Sequence, residues 1–168
     1  MDTNKIKSFA KEARLLLMDG VLQRLKYWGF NPDGSNTESL QTTQGGFIFR
    51  GQVFTDTTVP KKWNKLKKRL NNKQDVKDVI EEAAYTWFNR LMAIKILEVN
   101  GYLPPTVEFA QEIQIPILVQ NAKKGQHNLT KQTDKDLLTE YLQEDKEEQA
   151  FGLLVTDLCN TNVTLHDV

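Results

Sequence analysis

The residues with the clearest chemical potential are seven cations in one short segment. The segment PKKWNKLKKRLNNK contains no acidic residue, and its cations are Lys61, Lys62, Lys65, Lys67, Lys68, Arg69 and Lys73. Lysine and arginine bind phosphate oxygens and release counterions from DNA, which gives salt-dependent affinity with little base selectivity. We therefore predict a DNA-backbone contact through five of these cations: Lys61, Lys62, Lys65, Lys68 and Arg69.

The overall charge pattern leaves a second interpretation of the basic segment open. Residues 1–74 hold 14 Lys/Arg against 6 Asp/Glu, whereas residues 75–168 hold 8 against 16, for a net charge of zero. Such an asymmetry is typical of a basic face for an anionic partner, but also of two halves that dock on each other. The basic segment would then be only a solvated, solubilising surface.

No residue set in the sequence has the spacing of a catalytic or metal site. His127 and His166 lie in polar segments without a Cys or a second His at ligand spacing, so we expect both at the surface and predict no metal. Cys159 lies at the apolar edge of a helix, which favours a small buried side chain over a nucleophile. We predict no catalytic residue in this chain.

Four polar residues form a strip along an otherwise apolar helix. Glu82, Thr86, Asn89 and Arg90 recur at three- and four-residue spacing. If the helix is enclosed, these groups must be hydrogen-bonded, and the strip would fix helix packing. The alternative is a contact surface for another domain or a protein partner.

The helix that carries this strip organises the chain. From about residue 75 to residue 100, apolar residues recur at helical spacing until little of the circumference is polar. Asn100-Gly101 ends the helix and Pro104-Pro105 prevents a restart. A helix of this composition must be enclosed by other elements, so it forms the core of the domain.

The remaining segments are predicted to pack around that helix. In chain order they are a long amphipathic helix (3–28), a polar loop (31–45), a short hairpin or bulged strand (47–54), a basic helix (60–73), a surface loop (120–133) and two helices beginning near residues 133 and 147. Segment 106–118 fits no single pattern. We expect Ile6 and Phe9 on the apolar face of the first helix, and Phe47, Phe49 and Val53 buried.

The predicted fold is mainly α: a single domain, residues 1–168, in which a multi-helix bundle surrounds one buried central helix. No stretch approaches the roughly 20 uncharged apolar residues that a membrane span needs. The N-terminus lacks the apolar region of a secretory signal, and the single cysteine suits a reducing compartment. We therefore expect a cytoplasmic protein with no membrane partner.

Two runs of the sequence carry a resemblance to a known family. AYTWFNRL, Ala84 to Leu91, and EVNGYLP, Glu98 to Pro104, resemble the N-terminal region of the PglX-type adenine-specific DNA methyltransferases of BREX phage-defence systems. Members of that family usually have Arg-Phe-Met-Glu where this chain has Lys-Ile-Leu-Glu, residues 95–98. Fainter similarity reaches the first helix and residues 153–160.

The resemblance implies a function that this chain does not perform alone. An adenine methyltransferase needs a glycine-containing turn for S-adenosylmethionine and an Asn/Asp-Pro-Pro-Tyr/Phe loop for the flipped base. Here the only Pro-Pro pair lies between Leu103 and Thr106, without the acidic, amide or aromatic partner. We expect the catalytic domain beyond residue 168, and S-adenosylmethionine as cofactor of the full-length enzyme only.

Two functions follow from the sequence. In the first, the chain is the helical N-terminal domain of an adenine-specific DNA methyltransferase. Its partners would be its own downstream methyltransferase domain, double-stranded DNA and other BREX components. In the second, the chain is a free-standing helical adaptor that binds protein or DNA without catalysis.

Overall fold

The structure is a computed structural model that describes residues 3–110, 113–162 and 164–165. The chain divides into two compact units, Met1–Phe88 and Asn89–Val168. Within the described residues, six helices and a three-stranded antiparallel sheet confirm the mainly α fold with a short hairpin. None of the helices in the described ranges is long and apolar enough to cross a bilayer.

The first unit contains two helices, a small sheet and most of a third helix. Its elements are α1 (Thr3–Tyr27), β1 (Leu40–Thr43), β2 (Gly46–Phe49), β3 (Gln52–Phe54), α2 (Val59–Arg69) and α3 (Lys73–Val99), and the last continues into the second unit. The strands form an antiparallel meander in the order β1-β2-β3, in which Leu40 pairs with Phe49 and Phe47 with Phe54.

The core of the first unit lies where the C-terminal end of α1 meets α2 and the start of α3. Its buried members are Leu25, Phe30, Trp63, Leu70, Val76, Val79 and Ile80. Ile6 and Phe9, on the apolar face of α1, are 42% and 53% exposed, so this face is uncovered near the start of the helix. An amphipathic pattern predicts that a helix has an apolar face, but not that a neighbour covers its whole length.

The sheet is larger than predicted. Strand β1 lies inside the segment 31–45, for which the sequence predicts a polar loop, and its residues other than Leu40 are exposed. A mostly polar edge strand has no alternation of apolar residues by which to recognise it. Phe47 and Phe49 are buried as predicted, whereas Val53 is 75% exposed because it lies on the outer face of edge strand β3.

The second unit begins in α3 and adds a hairpin and three helices. These are β4 (Phe109–Ala110), β5 (Ile113–Pro116), α4 (Ile117–Lys123), α5 (Gln132–Gln143) and α6 (Glu147–Thr161). Its core consists of Val119, Ala122, Leu129, Leu138, Ala150 and Leu154. The predicted surface loop 120–133 needs correction, because it contains the last turns of α4 and the buried residues Ala122 and Leu129.

Helix α3 has the predicted extent but is not enclosed on all sides. Ala84 and Ile94 are almost fully buried, whereas Tyr85, Ile96 and Val99 are 68%, 56% and 76% exposed. The expectation of enclosure around the whole circumference is therefore wrong for this face.

A carboxylate inside the second unit fixes the chain where α3 ends. Gly101 adopts a φ of 74°, the left-handed conformation of a helix C-cap. The backbone N–H groups of Thr106 and Val107 donate to Oε1 of Glu98 at 2.6 and 2.9 Å. The Glu98 side chain is only 4% exposed, and Lys95 Nζ lies 3.1 Å from its other oxygen. The run Glu98 to Pro104 thus folds into a clamped helix end.

Candidate nucleic-acid interface

The apolar side chains of the α2 segment pack on the core of the first unit, so the cations on its other sides point to solvent. Trp63 and Leu70 are buried, and the indole N–H of Trp63 donates to the carbonyl oxygen of Trp28 at 3.1 Å. Pro60 occupies the first turn, where its missing N–H costs nothing. All the cations of α2 are exposed: Lys61, Lys62, Lys65, Lys67, Lys68 and Arg69.

Two of these cations have partners. Arg69 forms an ion pair with Glu82 of α3. The hydrogen bond from Arg69 and its positive charge hold the pKa of Glu82 below its ordinary value, and the same contact raises the pKa of Arg69. The ammonium of Lys67 lies 5.1 Å from the ring centre of Trp63. The sequence does not reveal the Arg69 pairing, because Glu82 is 13 residues away in the next helix.

The other four cations of α2 form a free anion-binding face. Among the described residues, no carboxylate oxygen lies within 4 Å of an ammonium of Lys61, Lys62, Lys65 or Lys68. Lys61, Lys65 and Lys68 follow the i, i+4, i+7 spacing of one helix face, and Lys62 adjoins it. We call these four residues the α2 lysine face. Without nearby carboxylates, it can bind a row of phosphates.

The four polar residues of α3 are not joined into one network. Glu82 is engaged by Arg69, and the Thr86 hydroxyl donates to the Glu82 backbone carbonyl at 2.9 Å. In the described part of the chain, the side chain of Asn89 has no hydrogen bond, and Arg90 buries its Nε without a partner. A contact role for Glu82, Thr86, Asn89 and Arg90 stays a prediction.

Two residues of the second unit, Cys159 and His127, are of types that can take part in chemistry. Burial raises the pKa of the Cys159 thiol, and the nearby charge of Arg90 offsets this only in part, so the thiol stays protonated at neutral pH. His127 is half-buried, and its Nδ1 has no hydrogen-bond partner among the described residues, so a surface role for His127 stays a prediction. His166 lies outside the described residues. No group of three or more His, Cys, Asp or Glu side chains within the described ranges could hold a metal.

An open apolar groove of about 530 Å³ lies on the first unit between α1, α2 and α3. Its walls include Leu16, Leu17, Val21, Leu66, Ala83 and Trp87. The rim residue Leu16 is 75% exposed, and its neighbour Leu15, outside the groove, is 57% exposed. Sequence reasoning missed this groove, since the apolar face of α1 suggested a covered surface.

Comparison with known proteins identifies relatives that are much longer than this chain. The chain is 33% identical over 134 residues to the adenine-specific methyltransferase PglX of Lacticaseibacillus casei (strain Zhang), a match that covers 73% of this chain and 11% of the relative. It is 38% identical over 106 residues to the adenine-specific methyltransferase BrxX of Escherichia coli O9:H4 (strain HS), covering 61% of this chain and 9% of that relative. The matched part thus spans about a tenth of either relative. No protein-family model and no solved structure matches the chain.

Proposed function

We propose that this chain, which is related to the PglX-type adenine-specific methyltransferases, is a non-catalytic helical region of such an enzyme. In this proposal it supports the methyltransferase domain and holds the DNA backbone while that domain modifies an adenine. The observation that carries the DNA role is the α2 lysine face, whose four cations lack a carboxylate partner among the described residues.

The methyl donor would be bound elsewhere in the enzyme. S-adenosylmethionine is implied by the names of the relatives and does not fit the residues described here. The groove of the first unit is lined by apolar side chains and offers Arg24 as its one charged residue, with no carboxylate for ribose hydroxyl groups. The contribution of this chain is therefore to bind and orient, and the transfer chemistry lies outside it.

The α2 lysine face supports backbone binding rather than base recognition. The α2 lysine face runs from Lys61 to Lys68 within this helix, so its cations extend over about 10 Å of helix axis, a length that faces neighbouring phosphates of a duplex. The side chain that could stack on a base, Trp63, is only 6% exposed, and its indole N–H already donates to the carbonyl oxygen of Trp28. Contacts from flexible lysines to phosphate carry no sequence information.

The apolar groove supports the second part of the proposal. An exposed apolar surface of this size commonly marks an interaction site. Roughly nine-tenths of the length of each relative lies outside the match, and in this proposal that part contains the methyltransferase domain. We assign the groove to an apolar segment of the methyltransferase domain. The polar strip from Glu82 to Arg90 is the candidate contact for other components of the defence system that the resemblance implies.

Neutralising the α2 lysine face tests the DNA role. We expect Lys61→Gln, Lys65→Gln and Lys68→Gln together to weaken binding to a DNA duplex and to flatten the slope of log K against log salt by about 2.7, since each neutralised phosphate contributes about 0.9. The measurement is fluorescence anisotropy with a labelled duplex at several salt concentrations.

The matched control removes three exposed lysines from α1, with Lys5→Gln, Lys7→Gln and Lys11→Gln. This variant has the same net charge as the α2 variant and should bind with nearly the wild-type slope. Equal losses in the two variants would show that only net charge matters, and a duplex that does not bind at low salt would refute the DNA role. The free-standing adaptor would then be the better interpretation.

A further inference from the structure

Two arginines flank one tyrosine ring at the C-terminal end of α1. The guanidinium carbon of Arg24 lies 4.9 Å from the centre of the Tyr27 ring, and that of Arg50 lies 5.4 Å from it. Arg24 also lies 5.6 Å from the Trp28 ring centre, and Arg50 lies 5.4 Å from that of Phe49. We call Arg24, Tyr27 and Arg50 the arginine–tyrosine cluster. All three residues are exposed.

The backbone of Arg50 is in a conformation that its residue type disfavours. Arg50 and Gly51 form the two-residue turn between β2 and β3, with φ values of 50° and 78°. Positive φ at both positions defines a type I′ turn, in which Asn-Gly is the preferred pair. A non-glycine residue held there is strained, and such strain is concentrated at functional positions. The strained backbone of Arg50 therefore coincides with the placement of its guanidinium beside Tyr27.

The arginine–tyrosine cluster and helix α2 contact the same group of packed residues in the first unit. Trp28, whose ring centre lies 5.3 Å from that of Tyr27, accepts the hydrogen bond from the Trp63 indole of α2 at its backbone carbonyl. On the other side, Leu40 pairs with Phe49 and packs on the core that contains Trp63 and Leu70. The two groups of cations are therefore fixed relative to each other through rigid aromatic packing.

We infer that Arg24 and Arg50 form a second phosphate-binding element for the DNA duplex that α2 contacts. A guanidinium stacked on a ring keeps its N–H edge available for phosphate and loses little conformational freedom on binding. Among the described residues, Arg24 has no carboxylate within 4 Å. Arg50 uses only Nε, which donates to Glu38 at 3.0 Å, so its terminal nitrogens stay available to a phosphate. This inference rests on the proposed DNA role.

The test combines Arg24→Gln with Arg50→Asn in the intact chain, since asparagine suits the type I′ turn and leaves the hairpin unstrained. We expect the double variant to flatten the salt slope of duplex binding by about 1.8, because two phosphate-binding cations are removed. The pair Arg24→Lys and Arg50→Lys retains the charge and should keep a slope close to that of the wild type. Thermal unfolding of each variant confirms that the fold is intact.

The control is Lys7→Gln with Lys11→Gln, whose nearer residue lies about 20 Å along α1 from Arg24, from the helical rise. An unchanged slope in R24Q/R50N, or an equal change in K7Q/K11Q, would overturn the inference. If the α2 lysine variant loses duplex binding while R24Q/R50N does not, this inference fails and the proposed function stands. If the wild-type chain binds no duplex, both fail. An RNA duplex that competes better than DNA of the same length would overturn the assignment to DNA.

Discussion

At the scale of single residues, Gly29 decides how the chain leaves α1. Its φ is 85°, and a Cβ at this position would lie 2.4 Å from the Cβ of Glu38. Its carbonyl oxygen accepts the backbone N–H of Thr37 at 2.9 Å, which brings the following loop back towards the helix. Gly20, by contrast, lies inside α1 and an added Cβ there would meet no atom within 4 Å.

These two glycines give a matched prediction. We expect Gly29→Ala to lower the free energy of unfolding by about 2–4 kcal/mol, because it adds backbone strain and a steric clash. Gly20→Ala should raise it by up to about 1 kcal/mol, because alanine favours the helix interior. Urea denaturation followed by circular dichroism measures both. A loss of stability in Gly20→Ala, or none in Gly29→Ala, would contradict the description of this helix end.

A group of residues that act together can be predicted from the sequence when its members lie close to one another along the chain. The α2 lysine face can be predicted because all of its members lie in one short helix without acidic neighbours. Arg24 and Arg50 are separated by a loop and two strands, so neither forms part of a visible motif, and only the fold brings both to Tyr27. The partial burial of His127 could not be predicted, because its polar neighbours in sequence say nothing about the core residue Leu129 nearby.

At the scale of elements, the run Glu98 to Pro104 at the end of α3 has a structural role that its sequence does not reveal. Glu98 is nearly sealed from solvent and accepts two backbone N–H groups from the segment that follows the helix. A carboxylate that accepts backbone N–H groups makes strong, charge-assisted hydrogen bonds. The motif that first suggested the family therefore has a structural role in the second unit, independent of any catalytic one.

Removing this carboxylate should destabilise the protein measurably. We expect Glu98→Ala to cost about 2–3 kcal/mol, since two backbone N–H groups lose a charged acceptor. Glu108→Ala is the control, because Glu108 is 51% exposed and its described ion pair is with Lys95 alone. A surface ion pair contributes about 1 kcal/mol or less. The free energy of unfolding of both variants is measured by chemical denaturation. Equal losses in the two variants would refute the role of Glu98 in fixing the segment after α3.

The elements that the sequence predicts well are the long ones. Helices α1, α3 and α6 span several turns, and their apolar residues repeat often enough to define a period. Strand β1 and helix α4 have only 4 and 7 residues, too few for a period to emerge from polar surroundings. The exposure of Phe9 has a different origin, because periodicity shows which side of a helix is apolar and not whether another element covers it.

At the scale of the whole molecule, the chain consists of two compact units that share α3. The first unit holds 15 Lys/Arg and 10 Asp/Glu, so the basic excess is concentrated in the unit that also carries the groove. A module with a cationic face and an apolar groove is suited to bind two different partners at once. In the proposed function these are the DNA backbone and the methyltransferase domain.

The central claim, that this chain is the supporting region of an adenine-specific methyltransferase, is tested most directly by assembly with a methyltransferase domain. The measurement is co-expression of the tagged chain with the part of the L. casei PglX relative outside the match, followed by size-exclusion chromatography. We predict a complex that is lost in Leu16→Asp, which places a charge in the groove, and retained in Leu15→Asp, whose side chain is exposed outside it. Separate elution of the two folded chains, or equal behaviour of the two variants, would contradict the account.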